Sequence, residues 1–435
     1  MKTLIKILDI LGFLFFGAVF ACPIICAAII SSCITRRRRA GNGVRELSFA
    51  VFDLISNKYP SMLEDALLDG YLDRHYYIYL DFSHSNDRFE NIGDDIFFYS
   101  IAAHPGNCIY KAGFHKVSML ITEARALLRG YLLALRNDID LIKAHDPHLL
   151  GLNGLIISRL LGLPCVLHLN SDFDMKYRGT GKISSPILIS RGVERLFEST
   201  IMRFYDLIVA DRKFYSRSRH FSRDSIKKYR AFGVRVDRLH YADPASRTDL
   251  RASLGLDGAR IILYVGRLHP VKYPEDAVKA FSIIKKSVPN AYLLIAGAGV
   301  LRDTLERMAG EYGLKDSVRF LGQKKYEELV DLLYTADVLL APHGGVTLVE
   351  AALASTPAVT YDFDWHSEFL KDGEMGYIAP FRDFKSMAQR AIDILTDEAV
   401  RVRMSELCRK VAVSGCSRER SMENEKKIYR ELIGA

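Results

Sequence analysis

Residues 337–354, DVLLAPHGGVTLVEAALA, constrain the fold of this chain more tightly than any other segment. The run opens with apolar residues that read as a buried parallel strand. It then passes through Gly344 and Gly345 and enters an apolar helix carrying one carboxylate, Glu350. A strand that ends in glycines and opens straight into a helix leaves free backbone N–H groups at the helix's positive end. Here those of Gly344, Gly345, Val346 and Thr347 form a natural seat for a phosphate, with His343 beside it. An ordinary βα turn reads the same way in isolation, so the neighbouring segments decide.

They repeat the pattern. Residues 261–281 give a buried strand, then Gly266 and Arg267, then Lys272, then a helix beginning near Pro274. In the first half, strands are expected at Leu47–Ile55, Tyr76–Phe82, Asp95–Ile101 and Leu141–Ala144. Helices are expected over Ser61–Leu72 and about 116–137. Strands alternating with helices predict parallel, doubly wound sheets with ligands at the strand C-terminal ends. A length of 435 residues exceeds one core, so two domains and an appendage are expected, with a linker near Tyr241–Leu254.

Five segments carry a resemblance: IILYVGRLHPVKYPEDAVKAF (261–281), LLIAGAGVLRDTLERMAGEYG (293–313), residues 318–345, HSEFLKDGEMGYIAP (366–380) and residues 139–173. In order and spacing they resemble the retaining glycosyltransferases of family 4, which have the GT-B fold of two Rossmann-like domains facing a cleft. The resemblance implies an acceptor domain at 41–250, a nucleotide-sugar domain at 256–415 and a helix at 416–435 returning to the first domain. It also implies that Arg267 and Lys272 stabilise the leaving diphosphate and that Glu350 accepts from the ribose hydroxyls. Fixed charge aimed at developing charge is usually the largest catalytic term.

A histidine of this family contacts the transferred sugar. Asn170 holds that place by register, while His168 is the matching residue type. The two are two apart at a strand end and share a face, and Asp172 follows; Asp146 is a weaker candidate that also suits a helix cap. The chain departs from the family at two points. The first of two glutamates spaced eight apart falls at Pro342, and HYADPASR replaces the usual Asn-Gly before the linker.

The net charge of +8 is uneven. Residues 256–415 hold 20 Lys/Arg against 22 Asp/Glu, whereas residues 1–255 hold 35 against 26. The surplus on the first half implies an anionic surface or acceptor there; nucleic acid is not expected, because no zinc-ligand, helix-turn-helix or aromatic RNA-binding motif accompanies it. Residues 10–35 form an uncharged run of 26 residues closed by Arg36–Arg39. That exceeds the roughly 20 apolar residues that span a bilayer and the roughly 7–15 of a cleaved signal. Residues 1–40 are therefore expected to anchor the chain, spanning the membrane or re-entering at Pro23, with everything after them cytosolic.

A second basic cluster, Arg212–Arg230, interleaves eight Lys/Arg and one Asp with aromatics. It is expected to lie on anionic headgroups or a lipid pyrophosphate through Arg212, Lys213, Arg217, Arg219, Lys227 and Lys228. Seven unpatterned cysteines fit a reducing compartment.

Two motif matches are set aside. Asp362-Phe363-Asp364 and Asp172-Phe173-Asp174 match the metal-binding signature of another glycosyltransferase fold, and the GT-B resemblance implies no metal. Gly297-Ala298-Gly299 begins a dinucleotide fingerprint but has Arg302 at its third glycine, so no nicotinamide cofactor is expected. The expected partners are a nucleotide-diphosphate sugar and a lipid-linked or glycolipid acceptor. A non-catalytic nucleotide-sugar-binding scaffold and a sugar-nucleotide epimerase of the same fold are the alternatives.

Overall fold

The computed structural model describes residues 43–50, 67–68, 70–82, 84–103, 111–185, 187–188, 190–217, 221–236, 241 and 247–434. The expected anchor at 10–35, Arg36–Arg39, Arg219 and most of the helix expected over Ser61–Leu72 lie outside these residues. Among the described residues no helix is long and apolar enough to cross a membrane.

The chain divides into two compact units. The first comprises residues 1–173, 182–232 and 422–435. Its elements are β1 (Val44–Ala50), β2 (Leu72–Asp81), β3 (Arg88–Ile92), β4 (Ile96–Ala102), α1 (His115–Arg136), β5 (Leu141–Ala144), α2 (Leu149–Leu161), β6 (Cys165–His168), α4 (Arg191–Phe204), β7 (Leu207–Ala210), α5 (Arg223–Lys227) and β8 (Tyr229–Ala231); the intervening helix α3 (Phe173–Thr180) belongs, after Phe173, to the second unit. The strands form one sheet in the order β3-β4-β2-β1-β5-β6-β7-β8. All neighbours are parallel except β3, which pairs antiparallel with β4. Leu72 opens β2 instead of closing a helix, and Leu68 and Gly70 before it take positive φ in a turn.

The second unit comprises residues 174–181 and 233–421. It contains β9 (Arg260–Val265), α6 (Pro274–Ser287), β10 (Ala291–Ala296), α7 (Arg302–Glu311), β11 (Val318–Gly322), α8 (Tyr326–Thr335), β12 (Val338–Ala341), α9 (Thr347–Leu353), β13 (Ala358–Tyr361), α10 (His366–Phe369), β14 (Gly376–Ala379), α11 (Phe384–Thr396) and α12 (Glu398–Gly415). Its parallel strands run β11-β10-β9-β12-β13-β14. That is the doubly wound order whose direction reverses between the first and fourth strands, and ligands bind at the strand C-terminal ends of such a reversal. Ile262, Leu293, Val338, Leu340 and Val359 are fully or almost fully buried from both faces, as parallel strands between helix layers require.

The last helix, α13 (Arg418–Ile433), places Tyr429 and Ile433 among Leu141, Val166 and Leu207 of the first unit's core. A buried polar chain supports it. Lys143 Nζ donates to Glu425 Oε1 at 3.1 Å, and the Tyr429 hydroxyl donates to the same oxygen at 2.8 Å. Lys143 also lies 4.0 Å from Glu46, which accepts from Ser48 at 2.6 Å and contacts His75 at 2.9 Å. Burial works against a charge on Glu46, but Lys143 and His75 outweigh it and hold the carboxyl well below its usual range.

Candidate active site

The loop after β9 and the turn after β12 leave neighbouring strands at the second unit's reversal point. After Val265, Gly266 and Arg267 lead into a short 3₁₀ turn at Pro270–Lys272, capped by the His269 side chain. After Ala341 come Pro342, His343 and the glycines. Gly345 takes φ +58°, the left-handed region that glycine enters without penalty. A Cβ on Gly344 would lie 2.6 Å from Leu348 Cγ, so the turn closes tightly on α9.

These two loops meet through Lys272. Its Nζ donates to the His343 carbonyl at 3.2 Å, and a Cβ on Gly345 would lie 3.5 Å from it. Burial, reinforced by the Arg267 charge and partly offset by Asp364, lowers the Lys272 pKa to about 8. Arg267 itself is exposed. One desolvated cation and one solvent-facing cation therefore stand beside a glycine turn at a helix start, an arrangement that receives an anion.

His343 is fixed from two sides. Its Nδ1–H donates to the Val271 carbonyl at 2.8 Å, and its Nε2 lies 3.8 Å from Asp364 Oδ2. Tyr273, Phe363 and His366 pack around the ring at 5.1–6.4 Å. Glu350 is buried one turn into α9, and Tyr326 and Thr347 hydrogen-bond its carboxylate. Burial raises its pKa to about 6, against which those bonds pull. Val346 is exposed at the turn.

Sequence reasoning missed the supports. Gly297 and Gly299, set aside above as an incomplete dinucleotide fingerprint, are needed because backbone runs against them. A Cβ on Gly297 would sit 1.9 Å from the Gly266 carbonyl oxygen, and one on Gly299 2.4 Å from that of Leu268. Leu268 N–H also bonds the Ala298 carbonyl at 2.9 Å. The loop after β10 thus holds the Arg267 loop in place. Two glycines two positions apart in the loop after the next strand were the sequence signal for this support. Asp364 was noted only within the Asp362-Phe363-Asp364 match set aside above, and Tyr326 and the aromatic residues around His343 carried no recognisable signal.

In the first unit, His145 and Asp146 follow β5 at that sheet's own reversal, β1-β5. His168 ends β6 and packs 5.1 Å from His145 and 5.4 Å from Phe232. Asn170 is exposed, its Nδ2 donating to the His145 carbonyl at 2.9 Å. The two sequence candidates thus separate: His168 packs as a half-buried ring, and Asn170 faces solvent. Asp146 does not cap α2, whose N-cap is His148 without a side-chain cap bond; its Oδ1 accepts from His148 N–H at 2.9 Å in the turn before the helix. Asp172 is half-buried just before α3.

The basic cluster does not form a single face. Arg212 is buried and lies 3.2 Å from Asp211, so it cannot present its charge to a membrane. Its carbonyl accepts from the Tyr229 hydroxyl, which ties it beneath β8. Lys228 is half-buried, and its Nζ donates to the carbonyls of Arg203 and Tyr205 at 3.0 and 2.8 Å. Lys213, Arg217 and Lys227 are exposed.

Among the described residues, one group has the spacing of metal ligands: His148, Glu194 and Glu198, all buried. Arg191 already donates to both glutamates, at 2.6 Å to each and 3.0 Å to the second oxygen of Glu198. Burial opposes a charge on His148, but Asp146 and Glu198 outweigh it and raise its pKa to about 9. A protonated imidazole and a guanidinium between two carboxylates make a charge-balanced cluster, in which His148 has no lone pair to offer a metal and both carboxylates already hold cationic partners.

Two doubly wound sheets, parallel except for the edge strand β3, have the architecture of the GT-B fold. Residues 246–411 match the family described as "Glycosyl transferases group 1". Alpha-D-kanosaminyltransferase of Streptomyces kanamyceticus is 26% identical over 285 residues, covering 64% of this chain and 73% of that relative. Glycogen synthase of Mycobacterium tuberculosis is 31% identical over 169 residues, and the match spans 41% of its length. Sucrose-phosphate synthase from Thermosynechococcus elongatus gives a TM-score of 0.72 at 19% identity, covering 90% of this chain and 99% of that one. HepE of Anabaena, solved with UDP and glucose, gives 0.65 at 16% identity over 90% and 100%. The structural likenesses speak for the fold, and the sequence matches support a glycosyltransferase.

Proposed function

We propose that this chain is a retaining glycosyltransferase of family 4 type that moves a sugar from a nucleotide diphosphate to a lipid-borne acceptor. The observation that carries the reading is the Lys272 ammonium held against the glycine turn at the sheet reversal. HepE binds UDP and glucose, and UDP-glucose, which supports a nucleotide-sugar donor here.

In this reading the diphosphate sits on the Gly344–Thr347 N–H groups and is countered by Lys272 and Arg267. As the glycosidic bond breaks, negative charge grows on the leaving diphosphate, and these fixed cations and dipoles stabilise it without reorganising. Glu350 accepts from the ribose hydroxyls, and His343 lies on the sugar side of the turn. In the first unit His168, Asn170 and Asp172 serve the acceptor side. Charge neutralisation by Arg and Lys makes a divalent metal unnecessary, so activity is expected to survive EDTA.

The uncharged run at 10–35, closed by four arginines, anchors the protein with its α/β units in the cytosol. Lys213, Arg217 and Lys227 add affinity for anionic lipid, at roughly 1 kcal/mol per basic residue near the surface.

The test is transfer from a panel of radiolabelled nucleotide-sugars onto membrane lipid by the full chain, with the anomeric configuration of product compared with donor. Retained configuration in a lipid product is expected. Nucleoside diphosphate binding without transfer from any donor favours a scaffold, and donor epimerised without acceptor favours an epimerase.

A further inference from the structure

The turn after β13 carries a carboxylate that the proposed donor chemistry has not yet used. Asp364 has φ +54°, a left-handed backbone uncommon for a residue with a side chain. Its side chain is 12% exposed, with Oδ2 3.8 Å from His343 Nε2. The other oxygen, Oδ1, is buried and has no hydrogen-bond partner among the described residues. Lys272 does not supply the missing donor, because its ammonium is turned to the His343 carbonyl.

A buried carboxylate oxygen without a donor loses its hydration and gains nothing in return, so such a group is retained where something else completes it. The position limits what that partner is. It lies next to the histidine of the glycine turn, beside the seat for an anion. A phosphate oxygen is repelled by Asp364 and so does not approach it. A divalent cation is disfavoured by the neighbouring Lys272 and Arg267 charges. A neutral hydroxyl fits, since it donates a hydrogen bond to the carboxylate through its exposed edge and brings no charge.

The hydroxyl-rich group attached to a nucleotide diphosphate is its sugar. We propose that Asp364, steadied by His343, is the acceptor for a hydroxyl of the transferred sugar and sets which sugar the site takes. This rests on the donor-site reading above and adds the residue that selects the sugar. A site that hydrogen-bonds a substrate hydroxyl rejects analogues lacking it, because the buried polar group is then left unpaired.

Two variants of the full chain separate this role from a structural one. Asp364→Asn keeps the shape and removes the charge; Asp364→Gly removes the carboxylate and suits the left-handed backbone. The readouts are kcat/KM with the donor found in the panel, kcat/KM with its single deoxy analogues, and UDP, GDP and ADP binding by calorimetry. We expect both variants to lose at least about 10²-fold in kcat/KM with the intact donor. One deoxy analogue should be poor with the wild type and no poorer with either variant, the signature of a shared contact. Nucleoside diphosphate affinity should stay within about threefold, because the diphosphate does not touch Asp364.

Equal losses with every donor and deoxy analogue overturn the proposal, as does weakened nucleoside diphosphate binding in both variants. A wild type that binds none of the three nucleoside diphosphates overturns the donor-site reading itself, an outcome visible before any variant is made.

Discussion

Lys272 donates to the carbonyl of His343, a residue 71 positions later, and so ties the loop after β9 to the turn after β12. In the proposed donor site this contact joins the two halves of the diphosphate seat through the protein's own hydrogen bond, and such preorganisation lowers the ordering cost of binding. The same contact half-buries the ammonium and, with Arg267 nearby, brings its pKa to about 8.

A group titrating near 8 makes nucleotide binding pH-dependent. The charged form attracts the diphosphate, so affinity should be highest below about pH 8 and fall as pH rises through it. Lys272→Met should remove that dependence and lower kcat/KM by at least about 10²-fold, on the scale of one lost charge-stabilising donor. Calorimetric titration with UDP, GDP and ADP between pH 6.5 and 9.5 checks both statements. A binding profile that stays flat in the wild type would falsify the placement of Lys272 at the diphosphate.

Gly297→Ala tests the support of the Arg267 loop. Its new Cβ would meet the Gly266 carbonyl oxygen at 1.9 Å, and backbone cannot swing aside as a side chain can. The loop must shift, and a shift of about 1 Å at a positioned group costs on the order of 10² in rate. Gly310→Ala is the control. It lies in α7, where the nearest atom is the far end of Lys315 at 2.9 Å, and should leave activity unchanged.

Much of this site was legible because its parts are local in sequence. An apolar strand, two glycines and an apolar helix follow one another directly, and Glu350 lies one turn beyond them. The supports were not legible because they come from other crossovers. Gly297 and Gly299 meet their partners only when β9 and β10 pair, and Asp364 reaches His343 only when β13 lies beside β12. The basic cluster was legible only in part, for the opposite reason. Composition counts arginines without showing which are turned inward, and Arg212 leaves β7 on the buried side. The edge strand β3 carried no clear signal, because RFENI has two adjacent polar residues that break a period-two pattern and it is only five residues long.

Glu350→Gln should weaken donor binding about 10- to 100-fold, the range expected for a hydrogen bond to a charged group. Its pKa of about 6 adds a direction. Below pH 6 the carboxyl protonates and loses acceptor capacity, so wild-type donor affinity should fall as pH drops from 7 to 5. The Gln variant should show no such fall. Equal acid sensitivity in both would place the titrating group elsewhere.

Lys143→Met should destabilise the first unit by about 3–5 kcal/mol, because it removes the ammonium that lies against both buried Glu46 and buried Glu425. Hydrogen exchange should show the loss in β1, β5 and α13 together. Replacing Lys143 and Glu425 together with apolar residues should cost less than Lys143→Met alone, since one of the two carboxylates that lose the ammonium is then gone.

The first unit should also lose stability as pH rises from 6.5 to 8. Glu123 is buried between α1 and α2, and burial, with Asp146 adding to it, raises its pKa to about 8; its bond from Asn153 at 2.8 Å pulls the other way. Its folded value lies above its ordinary one of 4.5, so its contribution is full below pH 4.5 and is lost as pH rises through about 8. His148 behaves alike, with a contribution full below pH 6.5 and lost as pH rises through about 9. Between 6.5 and 8 these two groups together hold about one and a half more protons in the folded unit than in the unfolded chain, partly offset near pH 6.5 by His145, whose buried ring has its pKa lowered to about 3, and stability falls with that slope. Glu123→Gln keeps an acceptor for Asn153 and removes the Glu123 share, so the slope should fall by about half or more. Trp365, the single tryptophan, belongs to the second unit, so its fluorescence does not report this transition. Hydrogen exchange of β5 and β6 does, and an unchanged slope in the Glu123→Gln variant would remove Glu123 from the account.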